Sequence, residues 1–279
     1  MSVFSERKID CHNHIFDPAG FPYNPNASYH PSGHEIATAD QFLQLLDAYG
    51  VSQALLVGPN SGYGENDNRA LLDAIQRSKG RFKGMAVVDQ QCSLEQLQAL
   101  KQQGVVGVTF NIAFYGVDHF RHSAALLDRL AQLDMIAQFQ VEGDQLLPLA
   151  QMFTDSGARL LVDHCGRPDL DAGIDSLGFQ AVLALADTGR TWIKVSGFDK
   201  FSRQAFPYVD TSAYVDAIQQ AYGEDRLIWG SDWPFLKPRQ RMDYGLMLAL
   251  AEQQFPDAGQ REKYFWKNAA ALFGFATHS

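Results

Sequence analysis

The chain has 279 residues, 46% of them apolar and 20% charged, a composition that excludes intrinsic disorder and supplies a core of ample size. A formal net charge of −9 argues against nucleic acid or an anionic membrane as the main partner, and no apolar run is long enough to span a bilayer. Three cysteines, Cys11, Cys92 and Cys165, are too few and too scattered for a disulfide framework or a zinc ribbon.

Short runs rich in Val, Ile and Leu alternate with amphipathic stretches from end to end. Strands are expected over 7–12, 52–57, 83–88, 105–110, 135–140, 159–164, 191–196 and 226–231. Helices are expected over 41–49, where Phe42, Leu45, Leu46 and Tyr49 share a face, and over 68–78, 94–102, 124–132, 145–153, 179–186 and 213–221. One or two closing helices occupy 260–273. Glycine breaks such as Tyr49-Gly50-Val51 and Gln103-Gly104-Val105 end helices before the next strand. Eight successive βα units with no linker predict an α/β chain folded as a single (β/α)8 TIM barrel domain over 1–279. A doubly wound open sheet is the alternative, although no G-x-G-x-x-G follows the first strand. The start of the chain, Met-Ser-Val-Phe-Ser-Glu-Arg-Lys, has no hydrophobic signal region, and a cytoplasmic protein is expected.

In such a barrel the chemistry sits at the C-terminal strand ends, and these are polar throughout. The first strand carries His12 and His14, whose i, i+2 spacing turns both imidazoles to one side. Cys11, between them, is expected to face away, and Cys165, next to His164, likewise. The sixth strand ends at Asp163-His164, the seventh leads to Ser196 and Lys200, and the eighth to Asp232 in Ser231-Asp232-Trp233-Pro234. His12, His14, His164 and Asp232 are the candidate catalytic set, with Asp232 as the base. Candidate substrate contacts are Lys200, Tyr115, Thr109, Gln140, His30 and Ser61, the last in the glycine-rich Asn60-Ser61-Gly62-Tyr63-Gly64 loop. Arg167 either meets a substrate carboxylate or pins its own loop to an acidic neighbour. Phe198, Phe201, Phe206 and Tyr208 form either a pocket wall or ordinary core.

Asp10-Cys11-His12-Asn13-His14-Ile15-Phe16, Asp163-His164-Cys165-Gly166-Arg167-Pro168 and Trp229-Gly230-Ser231-Asp232-Trp233-Pro234 resemble the signature segments of the amidohydrolase superfamily. The similar branch contains 2-pyrone-4,6-dicarboxylate lactonase and sugar lactonases. Phe21-Pro22-Tyr23-Asn24-Pro25, Tyr29-His30-Pro31, Asp67-Asn68-Arg69 and Lys194-Val195-Ser196 extend the likeness over nearly the whole chain. The resemblance implies hydrolysis of a small lactone, with His12, His14 and His164 polarising the carbonyl and Asp232 as the catalytic aspartate. The chain departs from that branch where arginines after the fourth strand hold substrate carboxylates: the corresponding stretch offers Thr109 and Tyr115. Lys200 stands in for a further arginine after the seventh strand. Neither threonine nor tyrosine reproduces bidentate arginine recognition, so a lactone with fewer carboxylates, or a sugar lactone, is expected.

Many amidohydrolases place a histidine after the fifth strand and some a lysine after the fourth, building metal sites. Here the fifth ends at Gln140-Val141-Glu142, leaving at most a partial site. The resemblance favours catalysis without a cofactor. A divalent ion such as zinc or manganese, held by His12, His14 and Asp232 or by these with His164, is the alternative. Two other classes remain at this level: a metal-dependent decarboxylase or hydratase of an unsaturated or aromatic acid, and a catalytically dead barrel that only binds a ligand.

Overall fold

A computed structural model describes residues 2–276. Its eight strands follow one another in a single sheet in the order β1 to β8 and alternate with helices, the (β/α)8 barrel fold expected from the sequence. The strands are β1 (Ile9–Asn13), β2 (Gln53–Val57), β3 (Phe82–Ala86), β4 (Val105–Asn111), β5 (Ile136–Gln140), β6 (Arg159–Val162), β7 (Thr191–Lys194) and β8 (Leu227–Ile228). Pairing is parallel from β1 to β3 and from β4 to β7. The chain divides into two compact units, one comprising the residues up to Val88, Gln102–Val106 and those from Ile228 onward, the other Asp89–Lys101 and Gly107–Leu227.

In the first unit every residue of β1 is buried. The helix Ala39–Ala48 starts two residues before the expected point because Thr38 and Gln41 form a capping box, Thr38 Oγ1 accepting from the Gln41 amide and Gln41 Oε1 from the Thr38 amide. That helix delivers Phe42, which packs on Phe82 of β3 and stacks on Trp233 with ring centroids 4.8 Å apart. Trp233 is thereby anchored immediately after Asp232. The final helical stretch runs from Ala258 to Phe273 with a π turn at Lys263–Lys267.

A helix over Tyr244–Gln254 was not expected. The sequence there is an unbroken apolar run, Leu246 to Ala251, which masks the periodicity, although the buried residues Tyr244, Met247, Leu248 and Ala251 do recur at helical spacing.

The second unit is built around Phe110, Phe139 and Phe153, with Phe139 and Phe153 stacked at 4.5 Å. Helices Leu94–Gln102 and Ala124–Gln132 have the expected bounds. The helix expected over 145–153 shrinks to Ala150–Asp155. Pro148 lies inside the expected span, where it removes an amide donor and its ring clashes with the preceding turn. Beneath the strand ends, Lys194 is ion-paired with Asp163 at 2.9 Å and donates to Gln138 at 2.8 Å, and Gln138 donates to the other Asp163 oxygen at 2.9 Å. All three are fully or almost fully buried.

Candidate active site

β1 and the turn after β8 are sewn together by three backbone bonds within the first unit. The Cys11 amide donates to Trp229, the Asp232 amide to the His12 carbonyl at 2.8 Å, and the His14 amide to Trp233 at 2.9 Å. Asp232, four residues past the end of β8, takes a left-handed conformation with φ 63°. β8 ends at Ile228 rather than at the expected residue 231. Gly230 permits the close approach: a Cβ there would lie 2.7 Å from His12 Cβ and 2.9 Å from the His12 nitrogen.

The result is a cluster of His12, His14 and Asp232 whose ligand-type atoms all lie within 4.8 Å of one another. His12 Nε2 is 3.7 Å from Asp232 Oδ1, an ion-pair separation rather than a hydrogen bond. Both residues are buried, and His14 is half-buried. His14 Nδ1 is 2.8 Å from the Val57 carbonyl, an oxygen that only accepts, so Nδ1 carries the proton and Nε2 is the nitrogen left for chemistry. Two imidazole nitrogens and one carboxylate are a donor set suited to a divalent ion with open positions, and the residues present fit such an ion.

Beneath the cluster sits a carboxyl that the sequence reading passed over. Asp10 Oδ1 accepts from the amides of His12 at 3.2 Å and Ser231 at 2.9 Å. Its Oδ2 accepts from the hydroxyls of Ser231 at 2.6 Å and Tyr244 at 3.0 Å. Burial pushes the Asp10 carboxyl upward, and the bonds from Ser231, His12 and Tyr244 oppose that shift.

In the second unit His164 follows β6 in a left-handed turn with φ 48°, and its Nδ1 meets Ser196 Oγ at 3.1 Å. Gly197, at φ 64°, makes room for this ring, since a Cβ there would overlap the imidazole. Ser196 was expected among the polar strand ends, but its pairing with His164 crosses 32 residues and has no local signature. Cys165 also takes a left-handed turn conformation rather than a strand conformation, and complete burial pushes its thiol up to about 12. Cys11 does lie on a strand and is fully buried.

A cavity of about 450 Å³ in the same unit is lined by Glu142, Gln145, Arg167, Asp169, Lys200 and Phe201 among others. Lys200 reaches it with its ammonium 3.1 Å from Asp199, and Arg167 reaches it 3.6 Å from Glu142. Of the two roles considered for Arg167, the structure shows the acidic neighbour, Glu142; the residue also borders the cavity. Phe198 and Tyr208 are buried packing residues, whereas Phe201 borders the cavity.

The other expected contacts are dispersed. Thr109 is buried on β4, and Gln140 ends β5 opposite Asn111. Tyr115 stacks on His119 at 4.8 Å. In the first unit, Ser61 is half-buried in the loop after β2, and exposed His30 stacks on Tyr23 and bonds the Asn24 carbonyl at 2.8 Å.

The family model described as amidohydrolase matches residues 9–275. The chain belongs to the amidohydrolase family. This amidohydrolase is 31% identical over 278 residues to a 4-sulfomuconolactone hydrolase of Rhizobium radiobacter, covering 95% of this chain and 89% of that protein. It is 30% identical over 279 residues to a 2-pyrone-4,6-dicarboxylate hydrolase of Comamonas testosteroni, with the same coverages, 95% and 89%. Among solved structures it resembles a probable 2-pyrone-4,6-dicarboxylic acid hydrolase from Acinetobacter baumannii with citric acid bound. That match has a TM-score of 0.83 and 29% identity over 96% of this chain and 99% of the other.

Proposed function

We propose that this amidohydrolase opens a small anionic lactone by hydrolysis, on one catalytic domain, with Asp232 as general base and the histidines as the carbonyl clamp. The observation that carries the reading is the convergence of His12, His14 and Asp232 at the end of β1 and in the turn after β8, in a chain whose relatives are lactone hydrolases. Asp232 takes a proton from water as the water oxygen bonds to the lactone carbonyl carbon. Imidazole N–H groups hold the oxygen that becomes negative. The ring C–O bond then breaks, and the proton on Asp232 passes to the departing ring oxygen, giving a hydroxy acid or its enol. His164, with one ring nitrogen held by Ser196, is assigned to the clamp from its place at the end of β6.

Lys200 beside the second unit's cavity is assigned to an anionic substituent of the substrate, with Arg167 bordering the same space. Thr109, Tyr115, Gln140, Ser61 and His30 are assigned as weaker substrate contacts. The absence of the strand-four arginines supports a lactone carrying fewer carboxylates than 2-pyrone-4,6-dicarboxylate, such as a sulfonated muconolactone or a sugar lactone. The expected setting is cytoplasmic breakdown of aromatic or sugar acids. No helix among the described residues is long and apolar enough to cross a membrane.

We propose hydrolysis without a metal as the first reading. For His14 the clamp then requires the imidazolium, because its neutral form has its proton at Nδ1, on the Val57 carbonyl. That same bond favours a second reading, since metal-ligating histidines characteristically donate their other ring N–H to such a partner. When bound by His12, His14 and Asp232, a divalent ion would polarise the carbonyl and acidify water. A screen of stereochemically defined lactones, run with metal analysis and with chelator, decides. Turnover that survives chelation of metal-free protein supports the first reading; stoichiometric metal and loss with chelator support the second. Failure of every lactone, with metal present, moves the protein to the decarboxylase or hydratase class.

A further inference from the structure

We infer that Asp10 is a positioning residue for the reaction, which sets Asp232 against His12. This rests on the roles proposed above for Asp232 and His12. Asp10 lies two residues before His12 on β1, where the register against β2 shifts between Asp10 and Asn13, and its side chain turns back to accept from the His12 amide. It is fully buried, and four donors converge on its two oxygens: the amides of His12 and Ser231 on one, the hydroxyls of Ser231 and Tyr244 on the other. Ser231 Oγ in turn accepts from the Trp233 amide at 3.0 Å. The residues on either side of Asp232 are therefore both referred to one carboxylate, which also holds the amide of His12.

Asp232 has a strained left-handed backbone, which persists only where its surroundings over-determine it. Asp10 supplies much of that determination, because without it the Ser231 amide would lose its buried acceptor and the hydroxyl would keep only the His12 carbonyl at 3.4 Å. A carboxyl group suits the place because its two oxygens together have room to accept from four donors. Asparagine keeps the shape but turns an NH2 group toward two hydroxyls that now donate. Tyr244 brings the helix Tyr244–Gln254 into the same arrangement, so a helix remote in sequence from β1 braces the turn.

The test measures kcat and KM for lactone opening in Asp10→Asn, Tyr244→Phe and the double variant, with melting temperatures. Asp10→Asn is expected to lower kcat by ~10²-fold, the usual consequence of misplacing a reacting group by about 1 Å, with KM within about threefold. Tyr244→Phe is expected to lower kcat less, and the double variant no further than Asp10→Asn alone, since both act through one carboxylate. A kcat within about threefold of wild type in folded Asp10→Asn, or losses that multiply in the double variant, overturns the inference. If Asp10→Asn does not fold, Tyr244→Phe decides, because it leaves three of the four bonds: a lowered kcat at unchanged KM supports the inference and wild-type kcat refutes it. If the wild type opens no lactone, the functional reading fails separately. The inference is then judged by a crystal structure of the Asp10→Asn or Tyr244→Phe protein. Asp232 shifted from its 3.7 Å separation to His12 sustains it, and an unmoved Asp232 overturns it.

Discussion

Replacing Gly230 by alanine adds one carbon where β1 and the turn after β8 are closest. Gly230 does not occupy the left-handed region, so alanine meets no backbone penalty and the effect is steric. The new Cβ would lie 2.7 Å from His12 Cβ and 2.9 Å from its backbone nitrogen. Ordinary carbon contacts begin near ~3.5 Å, so one side must retreat by about 0.8 Å. Neither can retreat without stretching the Asp232-to-His12 backbone bond, now 2.8 Å. Overpacking of this kind costs about 1–3 kcal/mol. A displacement near 1 Å at a reacting group costs ~10²-fold in turnover. The assay is kcat and KM on whichever lactone the wild type opens, paired with calorimetric melting. We expect kcat down by about two decades and a lower melting temperature. Wild-type kcat at an unchanged melting temperature would refute the packing of His12 against the turn.

Gly197→Ala combines a left-handed backbone with overlap of the His164 ring, and should lower both kcat and stability, by more than Gly230→Ala in the melting experiment. Lys194→Met leaves the Asp163 carboxylate buried without its ammonium, and urea unfolding should report a loss of about 3–5 kcal/mol; a loss below about 1 kcal/mol would show that the pair is dispensable. Burial lowers the Lys8 ammonium to about 8 from its ordinary value of 10.5, with Glu6 opposing the shift. Between those two values the unfolded chain holds more of the proton, so this group's contribution to stability rises with pH across that window. The melting temperature of wild type relative to Lys8→Met should therefore climb from pH 8 to 10.5, and a flat difference would contradict the shift.

The parts of the fold legible in the sequence were those governed by local pattern. Apolar runs placed all eight strands, and helices such as Leu94–Gln102, with alternating faces, could be bounded to the residue. The reading failed where the pattern was interrupted or masked: Pro148 cut one helix short, and the apolar run from Leu246 to Ala251 hid another. The His12 and His14 pair was legible from its i, i+2 spacing, although β1 itself ends at Asn13 and the backbone bond of His14 to Trp233 holds the second histidine in place. Asp232 was legible only through its motif, since nothing local to Ser231-Asp232-Trp233 says that its amide reaches His12. The contacts that hold the cluster were not legible at all. Asp10 meets Ser231 across 221 residues and Tyr244 across 234, and both are ordinary residue types in their own segments. Such pairings exist only once the strand order has brought the chain's two ends together within the first unit.

The central claim is that Asp232 is the base that opens a lactone, and Asp232→Asn tests it most directly. The measurement is turnover of 4-sulfomuconolactone, 2-pyrone-4,6-dicarboxylate and sugar lactones by wild type and variant, with calorimetric affinity for the same lactone. The account predicts that the wild type opens at least one of them. It also predicts that Asp232→Asn loses roughly 10²–10⁴-fold in kcat while still binding it. Undiminished turnover by Asp232→Asn would contradict it.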